Sequence, residues 1–130
     1  YEPSGFKPKL LGRPWVWGVT DCWSLVRDWY KQEKNIELVD WQRPTTPEEF
    51  NEKPMFEKCA EATGFQELKP DEKLQDGDIL FMSILANNLN HVAIFLNGEL
   101  LHHLADRLSC IEPYTEWYLK CTGKRLRYVA

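Results

Sequence analysis

The chain has 130 residues, 43% hydrophobic and 13% aromatic, with a formal charge of −4. That composition supports one domain with its own core and excludes a disordered chain. The acidic balance, without any lysine and arginine run, argues against nucleic acid as a partner, and no apolar stretch approaches the ~18 residues of a membrane span.

Residues 1–17 hold Pro3, Gly5, Pro8, Gly12 and Pro14, which predict an irregular arm. The chain opens on Tyr1 rather than Met, as a processed product or an excised domain would, and no signal peptide is visible. In "GVTDCWSLVRDWY", Asp21 is a good N-cap, and Cys22, Leu25, Val26, Trp29 and Tyr30 recur at helical spacing through about Lys34. Residues 35–46 read as a loop containing Pro44. Thr46 as N-cap, Pro47 at the first helical position and Glu49 closing a capping box start a second helix. Pro54 divides that region into a short helix and a longer one ending before Gly64.

After Gly64 the pattern turns to strands. "QDGDILFMSIL" offers a turn at Asp76–Gly77 and a β-rich run through Leu85, followed by the polar loop "ANNLN". "HVAIFLNGELLHHLA" is a hairpin, with Asn97-Gly98 favouring a two-residue type I′ turn. "RLSCIE" and "KRLRYVA" are further strands. Helices first and antiparallel strands later predict a single α+β domain over residues 1–130, its helices packed on one side of the sheet.

The hairpin fixes a parity. With Asn97 and Gly98 alone in the turn, Leu96 pairs with Glu99, Ile94 with Leu101 and Ala93 with His102. His91, Ala93 and Phe95 then share a face with Leu100, His102 and Leu104, while His103 points to the other face. His91 and His102 become diagonal neighbours about 7–8 Å apart at the backbone, with Ala93 leaving room between the imidazoles. His103 is expected at the surface or in a supporting position.

Cys22 sits in the first helical turn, where the helix terminus favours a thiolate, although a lone cysteine there also serves as helix packing. A thiol at a helix start and two histidines on one strand face suit nucleophilic catalysis. Cys22 attacks an acyl carbon, His91 moves the proton and His102 orients the imidazole, with the Cys22 N–H as oxyanion donor. The other cysteines, Cys59, Cys110 and Cys121, read as packing residues, and free thiols are expected throughout. A zinc site of Cys22, His91 and His102 lacks the usual metal-motif spacings, so neither a metal nor a cofactor is expected.

"DCWSLV", "DGDILFM" and "HVAIFLNGELLHH" resemble, in that order, the three signature blocks of NlpC-type cell-wall cysteine peptidases. "YEPSGFKP" and "LLHHLADRLSCIEPY" extend the likeness toward the peptidase domains of tail-tip assembly proteins in lambda-like tailed phages. The resemblance implies a papain-like α+β fold and cleavage of amide bonds in peptidoglycan stem peptides. It implies Cys22 as nucleophile, His91 as base and His102 as the third polar residue. Implied surroundings are Trp15 at the oxyanion, where the family often has tyrosine, Asp21 before the nucleophile, and Trp23 where serine is usual. The implied partners are a peptidoglycan peptide and phage tail-tip proteins. The implied location is the virion tail, or host cytoplasm during assembly, with action at the cell wall. A catalytically silent binding module with the same fold is the alternative.

Overall fold

Asp21 starts helix α1 (Cys22–Lys34) as predicted. Its carboxylate accepts the Ser24 backbone N–H at 3.1 Å, and the Asp21 backbone N–H donates to the Ser24 hydroxyl oxygen at 2.8 Å, so a capping box closes the first turn. Asn35 stops the helix in the left-handed region, at φ 54° and ψ 38°, and sends its N–H to the Tyr30 carbonyl. Buried Leu25, Val26, Trp29 and Tyr30 make up the inner face, at the 3–4 residue spacing the sequence shows.

This computed structural model describes residues 10–40, 49 and 64–129. Apart from residue 49, the helices expected over 46–63 lie outside the described residues. Beyond Gly64 come β1 (Phe65–Glu67), β2 (Ile79–Met82), β3 (His91–Leu96), β4 (Glu99–His102), β5 (Cys110–Pro113), α2 (Glu116–Cys121) and β6 (Thr122–Tyr128). The strands form one antiparallel sheet in the order β1-β6-β2-β3-β4-β5, giving an α+β domain.

Strand β2 stops at Met82. The predicted run through Leu85 is corrected: Ser83 onward turns away, and Leu85 sits at φ 50° with 93% of its surface exposed. Helix α2 was not read from the sequence. Thr115 caps it, but at six residues it has little periodicity to detect.

The two faces of the sheet are built differently. On one, Ile79, Phe81, Val92, Ile94, Leu101 and Leu126 pack against α1. An aromatic cluster joins them: the Phe65 ring lies 5.5 Å from Tyr30 and 5.4 Å from Tyr128, both edge-on. On the other face Leu80, Met82, Ala93 and Leu100 pack under Tyr118 of α2. The short helix therefore covers the side opposite α1, and the expectation of helices on one side alone is corrected.

Polar pins hold the strand entry. Buried Asp78 receives two bonds from the Arg127 guanidinium, both 2.9 Å, tying β2 to β6. Gly77 turns at φ +97°, where a Cβ would meet the Trp29 ring at 3.1 Å, and its carbonyl accepts the Tyr30 hydroxyl. Among the described residues no helix is long and apolar enough to cross a membrane. Cys22, Cys110 and Cys121 are free thiols; Cys59 lies outside the described residues.

Candidate active site

Cys22 is the first residue of α1, 8% exposed. A short loop ahead of it is closed by a Val16–Thr20 bridge and by the Gly18 N–H bonding to Asp21 at 3.0 Å. The arm before that loop is tied to Ser109 just ahead of β5. Gly12 donates to the Ser109 carbonyl at 2.8 Å, and the Arg13 N–H donates to its hydroxyl at 2.9 Å. These ties bring Trp15 and Trp17 beside the helix start, their rings 6.0 Å apart.

Two expected substrate residues are placed elsewhere. Asp21 is buried and spends its carboxylate on the cap and the loop, without lining the cleft described below. Trp23 is buried in the core, edge-on to Phe65 at 6.5 Å, with its indole N–H donated to the Val39 carbonyl at 3.1 Å. It faces the core rather than the groove because the apolar face of α1 begins there.

The hairpin register matches the predicted parity pair for pair, Ala93 opposite His102 and Leu96 opposite Glu99. Asn97 and Gly98 both have positive φ, 51° and 81°, as a type I′ turn requires. His91 and His102 thus share a face, and His91 Nε2 lies 3.0 Å from His102 Nδ1. On the other side His102 Nε2 lies 3.0 Å from Glu112 Oε2. The register puts Glu112 opposite Leu100 and Cys110 opposite His102, on the same face. Glu112 is the functional candidate that sequence reasoning missed. The connection between β4 and β5 is too long for its register to be read, unlike the two-residue turn.

The order of donors along this chain follows from the carboxylate. An ionised Glu112 only accepts, so His102 carries its proton on Nε2 and presents a lone pair at Nδ1. His91 must then donate from Nε2, which leaves the lone pair on its Nδ1. Burial pushes the Glu112 carboxyl up, but bonds from His102, Cys110 and Tyr118 outweigh it and hold the group below the usual carboxylate range. Burial, reinforced by His102 and His103, pushes the His91 pKa well below 6.5. Burial also lowers His102, partly opposed by Glu112. Both rings rest neutral near pH 7, which agrees with the donor order.

Cys22 and His91 border one cleft of about 600 Å³. Trp15, Trp17, Trp117 and Tyr118 form much of its wall. Leu85 borders it too, on a loop braced by Asn90, whose side chain bonds the Ile84 N–H at 2.8 Å and the Ile84 carbonyl at 3.0 Å. His103 also lines the cleft. It is buried, which excludes the surface half of the expectation and leaves the supporting position, and its Nε2–H donates to the Arg107 carbonyl at 2.8 Å.

One set of potential metal ligands occurs among the described residues: His102, Cys110 and Glu112, with one ligand atom each within 4.8 Å of the others. The Cys110 thiol donates to Glu112 at 3.3 Å. Burial and this bond raise the thiol pKa.

Residues 12–127 match the NlpC/P60 family. The chain is 37% identical to tail tip assembly protein K of Escherichia phage N15, over 98% of its own length and 52% of that protein's. It is 36% identical to tail tip assembly protein K of Escherichia phage lambda, over 95% of its length and 61% of that protein's. The chain thus spans roughly half to three-fifths of the curated relatives it matches. A helix-start thiol and His91, backed by the buried His102, border one cleft within the matched span, and on the family match the chain belongs to the NlpC/P60 family.

Proposed function

We propose that this domain is a cysteine peptidase that hydrolyses amide bonds in peptidoglycan stem peptides, working as part of a phage tail tip. The observation that carries the reading is the Glu112–His102–His91 chain of hydrogen bonds, which ends at the cleft that Cys22 also borders. Family membership supplies the reaction class, and the two phage relatives supply the tail-tip setting.

Cys22 gives its thiol proton to His91 Nδ1, and the imidazolium is held through Nε2–H by His102, itself fixed by Glu112. The thiolate sulfur attacks the amide carbon, and the oxyanion forms at the positive end of α1, near the Cys22 N–H and the Trp15 indole N–H. His91 returns the proton to the leaving nitrogen as the C–N bond breaks, leaving a thioester. Water then gives a proton to His91 and its oxygen to the acyl carbon. The C–S bond breaks, and the sulfur recovers the proton.

Hydrolysis of purified stem peptides, followed as newly formed amine, tests the reading. Wild type releases amine and Cys22→Ala does not; equal rates from both would end the proposal.

A second reading, a catalytically silent binding module, is favoured by Trp15 at the cleft, where the family often has tyrosine. An indole donates a hydrogen bond but cannot accept one. In that case His91→Ala leaves the rate of Cys22 alkylation by iodoacetamide unchanged, whereas a catalytic base speeds it.

A further inference from the structure

His102, Cys110 and Glu112 have a second use. We propose that they form a zinc-binding site at the back of the histidine pair, and that zinc held there switches the catalytic base off. The inhibitory half rests on the peptidase reading; the binding half does not.

The spacing suits the ion. Tetrahedral zinc with ligands at ~2.0–2.3 Å holds neighbouring ligand atoms about 3.3–3.6 Å apart. Here His102 Nε2 and Glu112 Oε2 are 3.0 Å apart, Cys110 Sγ and the same oxygen 3.3 Å, and the three donors stay within 4.8 Å of one another. Hydrogen-bonding protons now join these atoms, and a cation would replace them with small outward movements. Thiolate, imidazole and carboxylate together are a donor set for zinc rather than for magnesium or calcium. An opening of about 220 Å³ bordered by Cys110 and Glu112 gives entry and leaves the fourth position for water. Arg107 borders it on an exposed side chain, and its single charge faces the two negative charges of thiolate and carboxylate.

The consequence follows from proton count. In the free protein His102 carries its proton on Nε2, toward Glu112. Zinc takes that nitrogen's lone pair, so a neutral His102 must carry its proton on Nδ1, facing His91 Nε2. His91 must then accept at Nε2 and hold its own proton on Nδ1, the nitrogen that served as base. The proton displaced from His102 Nε2 is balanced by the one gained at His91 Nδ1, and the Cys110 thiol releases one proton to solvent. His91 can no longer carry two protons at once, because its Nε2 faces an N–H. The proton shuttle stops without any ligand touching Cys22.

Cobalt is the optical probe. Titrating Co²⁺ into the full chain carrying Cys22→Ala gives a thiolate-to-cobalt charge-transfer band, and the Cys22→Ala/Cys110→Ser protein lacks it. A band that persists in the double variant, or is absent from Cys22→Ala, overturns the site. Nitrogen-15 shifts of His91 in Cys22→Ala report the switch directly: zinc moves the proton from Nε2 to Nδ1, and an unchanged tautomer at saturation overturns the inhibition. Cys110→Ser keeps a hydroxyl donor for Glu112, and its inhibition is read against its own rate without zinc. It then needs at least about tenfold more zinc for half-inhibition, since losing a ligand costs no less than losing a ligand's hydrogen-bond partner. Equal zinc sensitivity in the two proteins overturns the inhibition as well. If neither protein hydrolyses stem peptide while the cobalt band appears, the peptidase reading fails and the binding site stands.

Discussion

Glu112 shows how much a single side chain can set. Its carboxylate decides which nitrogen of His102 carries a proton, and His102 in turn decides the same for His91. Glu112→Gln keeps the shape but offers an amide that can donate as well as accept, so part of the population holds the wrong tautomer. The expected result is a loss of about 10- to 100-fold in kcat with KM little changed, measured on stem peptide; reversal of the whole chain in a serine protease costs more. His91 carries a second expectation. Burial lowers its pKa well below 6.5, so it stays an unprotonated base as the medium acidifies. The acid limb of kcat/KM therefore falls below pH 6.5, and a limb at or above that value would remove His91 from the role.

At the scale of elements, two short pieces place the chemistry: the capped start of α1 and the hairpin turn. Asp21→Ala removes the cap and the Gly18 tie together. It is expected to cost about 1–2 kcal/mol, read as a lower midpoint on urea denaturation. Hydrolysis should drop as well, because the same bonds hold Cys22 and the loop behind Trp15. Gly98→Ala differs. Nothing lies within 4 Å of the added Cβ, so the cost is the positive φ alone, about 1 kcal/mol. The register stays, and hydrolysis at 25 °C should remain near wild type. A larger loss would mean that the turn does more than hold parity.

Across the whole molecule the buried histidines couple folding to pH. His91, His102 and His103 all have folded pKa values lowered from 6.5, burial being the first cause in each. The unfolded chain therefore binds more protons than the folded one below pH 6.5, and stability falls as pH falls through that window. Above pH 6.5 the contribution is fully present. Glu112 adds a separate loss nearer pH 4.5, where its lowered pKa makes the unfolded carboxyl take a proton first. Thermal scans should give a lower Tm at pH 5.5 than at pH 7.5. A flat profile between them would contradict the burial of the three rings.

The legible parts of this protein are those whose cause is local. Helix α1 could be placed to the residue because Asp21 caps it and its apolar spacing is regular. The hairpin could be registered because a two-residue turn leaves one pairing. Parity along the strands then put His91 and His102 on one face with no knowledge of the rest. Trp23 lies in the core rather than the groove, because a residue's place beside Cys22 in the chain says nothing of which side of the helix meets the core. Helix α2 was too short to leave a pattern. Glu112 entered through the pairing of β4 with β5 across a long connection, and the shared cleft through α1 and β3 meeting at one end of the sheet. Sequence by itself determined the local elements and the parity of the histidines, since hydrogen-bonding geometry repeats over a few residues. Only the tertiary structure decided which distant carboxylate orients them, because that contact depends on how the whole chain packs.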